Sequence, residues 1–305
     1  TDGVNLDCVD CHTTTDHNIS GKLYSLSSMN RNRSTCEQCH TETPHDDDIL
    51  NEHTVKVACQ TCHIPVYAKV NSTKMYWDWS TAGKLKNGEP YHEEDSLGNH
   101  TYLSIKGSFK WDRNVKPDYI WFNGTASHYL EGDIIEDTTK DLVLNPLYGS
   151  YNDPNSKITP VKIHIAKQPF DPVNRMLIQP KLYSQYKGDG AFWKDFNWLE
   201  AAKIGMDDVG LPFSGKISFI TTKMYWPVNH MVSSKDKTVS CNECHVRENS
   251  RLAGLNDFYM PGRDYSSLVD TLGSLLIIFS FLGVIIHGTI RYIAYRKLNK
   301  KGGIK

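Results

Sequence analysis

The sequence has almost no net charge to offer a partner. Its 34 Lys and Arg against 35 Asp and Glu leave a formal charge of −1 over 305 residues. That removes the basic footprint of a nucleic-acid binder, so none is expected among its partners. Apolar residues are scarce for a chain with a membrane segment, at 39%, and the mean hydropathy is −0.48. Side chains alone then make a thin core. Cysteine is missing everywhere except in four short clusters, which leaves no thiol outside them for an ordinary disulfide framework.

Those clusters are copies of one pattern: Cys8-Val-Asp-Cys11-His12, Cys36-Glu-Gln-Cys39-His40, Cys59-Gln-Thr-Cys62-His63 and Cys241-Asn-Glu-Cys244-His245. Cys-x-x-Cys-His is the attachment signature of c-type haem. The two thiols add across the haem vinyl groups and the adjacent imidazole binds the iron as proximal ligand. A zinc ribbon would use the paired cysteines but leave four identically placed histidines unexplained. A thioredoxin-like pair needs one motif beside a βαβ pattern, which is not evident. The expected cofactors are four covalent haem c groups, with His12, His40, His63 and His245 as proximal ligands. Four porphyrins would also supply the apolar core that the composition lacks.

Covalent haem attachment takes place outside the cytoplasm, so a leader is expected to have been removed ahead of Thr1. Sequons at Asn18, Asn32, Asn71, Asn99 and Asn123 fit an outward-facing, glycosylated surface. The stretch from Thr271 to Ile290 contains no Asp, Glu, Lys or Arg. Twenty helical residues span about 30 Å, one hydrocarbon thickness. Arg291, Arg296, Lys297, Lys300, Lys301 and Lys305 follow it. The positive-inside rule then puts the tail in the cytoplasm and residues 1 to about 265 outside.

The expected fold class is a multihaem c-type cytochrome of low regular secondary structure. It is α+β, with short helices and β-hairpins around haems and one C-terminal transmembrane-type helix. Four segments are expected: 1–66 with three haems, 67–240 as an aromatic-rich haem-free insert supplying distal ligands, 241–265 with the fourth haem, and 266–305 as hydrophobic helix and basic tail. Thr73-Lys-Met-Tyr-Trp77 recurs identically as Thr222-Lys-Met-Tyr-Trp226, read as aromatics packed on haem faces rather than as a worn repeat.

Nine of the 13 histidines remain as distal ligands or surface residues. His17 follows His12, and His45 follows His40, by five residues. Five extended residues reach at most about 17 Å, too little slack to round a porphyrin edge. Each is therefore expected to ligate an adjacent haem, which ties neighbouring sites closely. His53 and His230, just ahead of the third and fourth motifs, are the other distal candidates. His164 lies in an alternating run and reads equally as ligand or strand residue. His92, His100 and His128 read as surface. His287, inside the apolar helix, is a candidate site for haem b or quinol. The acidic run from Asp46 to Asp48 reads as solvated loop rather than a metal site.

Taken together, these stretches resemble the C-terminal part of the octahaem tetrathionate reductase family. The matching residues are Asp7 to His12, Pro44-His45, Leu50-Asn-Glu-His53, Ala58 to Pro65, Trp77-Asp-Trp79 with Ala82-Gly83, His230-Met-Val232, Cys241 to His245, and Pro261-Gly-Arg263. This chain has four motifs rather than eight, and the segment that carries the family's lysine-ligated catalytic haem has no counterpart. The four-haem form is similar to archaeal extracellular cytochromes that polymerise into filaments. That resemblance implies a conduit whose partners are other redox proteins or copies of the chain as a homopolymer.

Three functions compete. The first is electron transfer through bis-histidine haems, as a relay anchored in the membrane through 271–290 or as a polymeric conduit. The second is a reductase of sulfur or nitrogen oxyanions, for which Lys162 and Lys167 beside His164 are the nominated anion-binding cluster. The third is a quinol-oxidising membrane subunit using His287.

Overall fold

The computed structural model describes residues 6–21 and 31–301. The terminal Lys305 of the basic tail lies outside them. Two compact units emerge, Thr1–Ser240 with Gly254–Phe258, and Cys241–Ala253 with Tyr259–Lys305.

The first unit is organised by one mixed sheet. Its strands are β1 (Thr73–Asp78), β2 (His92–Glu94), β3 (His100–Leu103), β4 (Gly107–Asp112), β5 (Asp118–Phe122), β6 (Leu142–Val143), β7 (Lys157–Asp171), β8 (Met176–Leu177) and β9 (Ser218–Pro227). The spatial order is β6-β9-β7-β1-β4-β3-β2, with β5 and β8 also pairing with β7. At 15 residues, β7 is the spine. Its Ile158, Thr159, Val161, Ile163 and Ile165 are β-branched residues of the kind that fit a pleated surface. It runs antiparallel to β9 from Val161 to Phe170 and parallel to β1 at Ile165 to Lys167.

This is more regular structure than short hairpins. The pairings join segments far apart in sequence, which local alternation and turn residues do not reveal. The repeated pentapeptides occupy β1 and β9, on opposite sides of β7 and running in opposite directions. They are therefore not translational repeats.

Apolar packing is concentrated beside this sheet. Ile135, Phe170, Leu177 and Ile220 form one cluster. Met176, Ile178, Ala202 and Met206 form another, two of them from the 11-residue helix Trp198–Asp208. That helix is capped by Asn197, whose side chain accepts from the Leu199 and Glu200 amides. By contrast, no described residue before Thr61 is buried. The segment with the first three motifs lacks a polypeptide core of its own.

In the second unit, the Arg251 guanidinium reaches the Glu243 carboxylate at 2.8 Å. Arg263 clasps Asp264 through two nitrogens at 2.7 Å and donates to the Leu252 carbonyl. The long C-terminal helix (Ser267–Lys301) has 35 residues, about 52 Å at 1.5 Å per residue. Among the described residues it is the one helix long and apolar enough to cross a membrane. It continues as helix past the apolar run through Arg291, Arg296, Lys297 and Lys300.

Candidate haem sites

Each motif opens a turn of helix at its first cysteine: Cys8–Cys11, the 3-10 turn Cys36–Gln38, Cys59–His63 and Cys241–Cys244. A helical turn sets positions i, i+3 and i+4 on one face. Both thiols and the histidine therefore share that face. The histidine amides donate back to the first cysteine's carbonyl, at 2.8 Å for His12, 2.9 Å for His40 and 2.8 Å for His245. None of the eight cysteines is in a disulfide.

Three of the motif histidines share one orienting device. Nδ1 of His12 donates to the Ser20 carbonyl at 2.7 Å, that of His63 to the Ser233 carbonyl at 3.3 Å, and that of His245 to the Pro261 carbonyl at 2.8 Å. A carbonyl can only accept, so Nδ1 carries the proton and Nε2 is left as the metal-binding nitrogen. Two of the carbonyls are followed by glycine with positive φ, Gly21 at 100° and Gly262 at 82°. A Cβ on Gly21 would lie 2.4 Å from His12 Nδ1, and one on Gly262 would lie 2.8 Å from the His245 carbonyl oxygen. Sequence reasoning missed both glycines. The signal available was Pro261-Gly-Arg263, which was recognised but not given a role. His53 follows the same pattern, with Nδ1 donating to the Ile49 carbonyl at 2.7 Å.

Two motif histidines face a second imidazole. His12 and His230 have ring centroids 6.2 Å apart at 32°, and His45 and His63 have theirs 6.3 Å apart at 21°. A metal–imidazole bond is about 2.0 Å, and a five-membered ring with bonds near 1.35 Å has its centroid about 1.15 Å from each atom. Two rings on opposite sides of one metal should then lie about 6.3 Å apart. The observed separations of 6.2 and 6.3 Å match that distance.

His45 also has a buried Nδ1 without a hydrogen-bond partner. A cavity of about 970 Å³ opens beside it, lined by Cys36, His40, His45, Cys59 and His63. That lies at the large end of ligand pockets, which run to about 1,000 Å³. The Cys36 and Cys59 thiols are within hydrogen-bond contact. The second and third motifs therefore meet at their first cysteines.

The remaining nominated residues are placed as follows. His17 is exposed at φ 62°. His164 sits half-buried in β7, its Nδ1 donating to the Lys74 carbonyl at 3.1 Å. Burial above all holds its pKa below the ordinary value. His92 and His100 are exposed about Glu94, with His100 Nδ1 at 3.2 Å from its carboxylate. His128 is half-buried rather than a surface residue, and its Nε2 has no partner. His287 is exposed on the long helix Ser267–Lys301.

Lys162 and Lys167 lie five residues apart on an uninterrupted strand pairing and so point to opposite faces. They do not form one cluster. Lys162 Nζ donates to Thr73 at 2.7 Å instead. Of the sequons, Asn18, Asn32 and Asn71 are exposed. The side-chain amides of Asn32, Asn99 and Asn123 donate to the Ile19 carbonyl, to Asp95 and to Asp153.

Residues 74–248 match the family model "Cytochrome c bacterial", more than half of the chain, and residues 1–64 match "Cytochrome c7 and related cytochrome c". The chain belongs to the bacterial cytochrome c family. It is a multihaem c-type cytochrome, of a family that carries covalent haem c. Its fold is similar to the crystal structure of octaheme cytochrome c from Shewanella oneidensis, at 41% identity and a TM-score of 0.76. The match covers 85% of the cytochrome and 59% of the octahaem chain. Comparison with curated proteins gives no match.

Proposed function

We propose that this cytochrome binds four haems, each between two histidines, and passes electrons along them outside the cell. The carrying observation is the 6.2 and 6.3 Å spacing of the two imidazole pairs. It supports His230 as distal ligand to the haem of Cys8, Cys11 and His12. It likewise supports His45 as distal ligand to the haem of Cys59, Cys62 and His63. His17 and His53 are proposed as the other distal ligands, and Cys36 to His40 and Cys241 to His245 as the other two attachment sites.

Iron held between two imidazoles has no open position for substrate and exchanges one electron at low potential. The polypeptide's part is to hold those imidazoles and to bring sites together. The contact between Cys36 and Cys59 supports close spacing. Residues 271–290 would anchor the cytochrome in the membrane with its basic tail inside. Other redox proteins or further copies of the chain are the proposed partners, the latter as a polymeric conduit.

The test is ligand binding to the reduced protein. Uniformly low-spin spectra that carbon monoxide leaves unchanged are expected. A high-spin haem that binds carbon monoxide in the wild type would instead favour a reductase. Electron microscopy of material sheared from cells distinguishes filament from anchored monomer.

A further inference from the structure

The segment after β9 serves two motifs at once. His230 faces His12. Three residues later the Ser233 carbonyl accepts from His63 Nδ1, while the Ser233 amide donates to the His63 carbonyl at 2.7 Å. Further on, the Val239 amide donates to the Cys62 carbonyl at 2.9 Å. One short stretch thus presents a ring to the first motif and fixes the ring of the third.

That stretch is held by a single cation. Lys69 Nζ donates to the Met231 carbonyl at 3.0 Å and to the Ser233 hydroxyl at 2.9 Å. It spans the peptide units between His230 and Ser233. Its own anchorage is firm. Arg113 donates to the Lys69 carbonyl at 3.3 Å, and Tyr67 and Val115 exchange backbone hydrogen bonds on the same side.

Both ends of the strut carry unusual backbone. Ala68 has φ 55° and is 4% exposed, and Met231 has φ 69°. Neither is a glycine or an Asn, the residues that adopt this region readily. Such outliers persist where the surroundings over-determine them, and they gather at functional sites. Met231 directly follows His230, and its left-handed turn aims the histidine at His12 while Ser233 doubles back onto His63.

We propose that Lys69 is a positioning residue that couples axial ligation at the first and third haem sites by fixing His230–Ser233. The proposal rests on the assignment of His230 as distal ligand to the first site. The ammonium is suited to the task because it donates to two acceptors at once and its charge strengthens both bonds. A neutral side chain of similar length would leave the Met231 turn unsupported.

The test uses the full chain matured with haem. In Lys69→Met, a carbon-monoxide-binding, high-spin fraction is expected at the first site, amounting to at most one haem per chain. The potential of the third site should shift as well. Lys69→Arg, which keeps a charged donor, should stay low-spin. If Lys69→Met fails to mature, Ser233→Ala removes one acceptor and keeps the carbonyl that serves His63. It should give a smaller high-spin fraction. His230→Ala separates the two layers of the argument. It should open the first site fully, and if it does not, the ligand assignment is wrong. If it opens the site while neither Lys69→Met nor Ser233→Ala changes spin state or potential, the strut is refuted and the assignment stands.

Discussion

Replacing Gly21 by alanine should disturb one haem site selectively. The added Cβ would sit 2.4 Å from His12 Nδ1 and 2.5 Å from Cε1. Carbon contacts settle near 3.5 Å, so ring and backbone must part by about 1 Å. That movement breaks the 2.7 Å hydrogen bond from Nδ1 to the Ser20 carbonyl, a loss of about 1 kcal/mol. Holding alanine at φ 100° costs about 1–2 kcal/mol more, giving a total destabilisation of about 2–3 kcal/mol.

The redox consequence has a definite sign. Donation from Nδ1 makes the imidazole a stronger base and favours ferric iron. Its loss should raise the potential of that site. A one-electron couple moves about 43 mV per kcal/mol, so a differential effect of half to one kcal/mol predicts a rise of about 20–45 mV. Gly88→Ala is the control. Its φ is 82°, but a Cβ there would meet nothing within 4 Å, so it carries the backbone strain without the clash. Spectropotentiometric titration of both variants decides the matter. If Gly21→Ala titrates like Gly88→Ala and the wild type, the carbonyl-and-glycine device does not set the ligand.

Other consequences can be checked separately. His45→Ala should make one reduced haem bind carbon monoxide, read by difference spectroscopy, and an unchanged spectrum would remove His45 from the ligand set. Phe192→Ala deletes a ring that is fully buried and stacked on Trp198 at 4.0 Å. It should cost about 3–5 kcal/mol in denaturant unfolding while leaving the haem spectra intact. In a host that glycosylates the protein, peptide mass spectrometry should find Asn18 and Asn71 occupied before Asn99 and Asn123, whose amides are already engaged. Higher occupancy at Asn123 than at Asn71 would contradict that order.

The attachment motifs were legible because their chemistry is local. Three residues at i, i+3 and i+4 need one helical turn, and the sequence states all of it. The distal side is a matter of tertiary placement. Counting residues from His40 argued that His45 serves a neighbouring site, and the structure sets it opposite His63. The sequence named His230 as a distal candidate but not the motif it faces; it lies just ahead of the fourth motif in sequence and opposite the first in space. Lys162 and Lys167 looked clustered as text and separate by strand alternation. The sheet was under-read for a similar reason. β7 draws partners from β1, β5, β8 and β9, and no local pattern announces such pairings.

The same placements tie the first three motifs to one another. His230 and Ser233 are three residues apart, at most about 11 Å of chain, and they serve the first and third motifs. The thiols of Cys36 and Cys59 touch, joining the second motif to the third. The Ser34 hydroxyl, two residues ahead of Cys36, donates to the Cys11 carbonyl at 2.7 Å and joins the second motif to the first, so all three adjoin and the third is linked to both others. It is also the one seated on the sheet. The Ala58 amide and the Thr61 hydroxyl both donate to the Ile158 carbonyl, at 3.0 and 2.7 Å, and the Ile158 amide donates to Lys56. Thr61 is 2% exposed, whereas the described residues of the first two motifs have no buried side chain. Precision in a functional site comes from mounting it on rigid elements. The chain supplies that mounting at the third motif, through β7, the longest strand of the sheet.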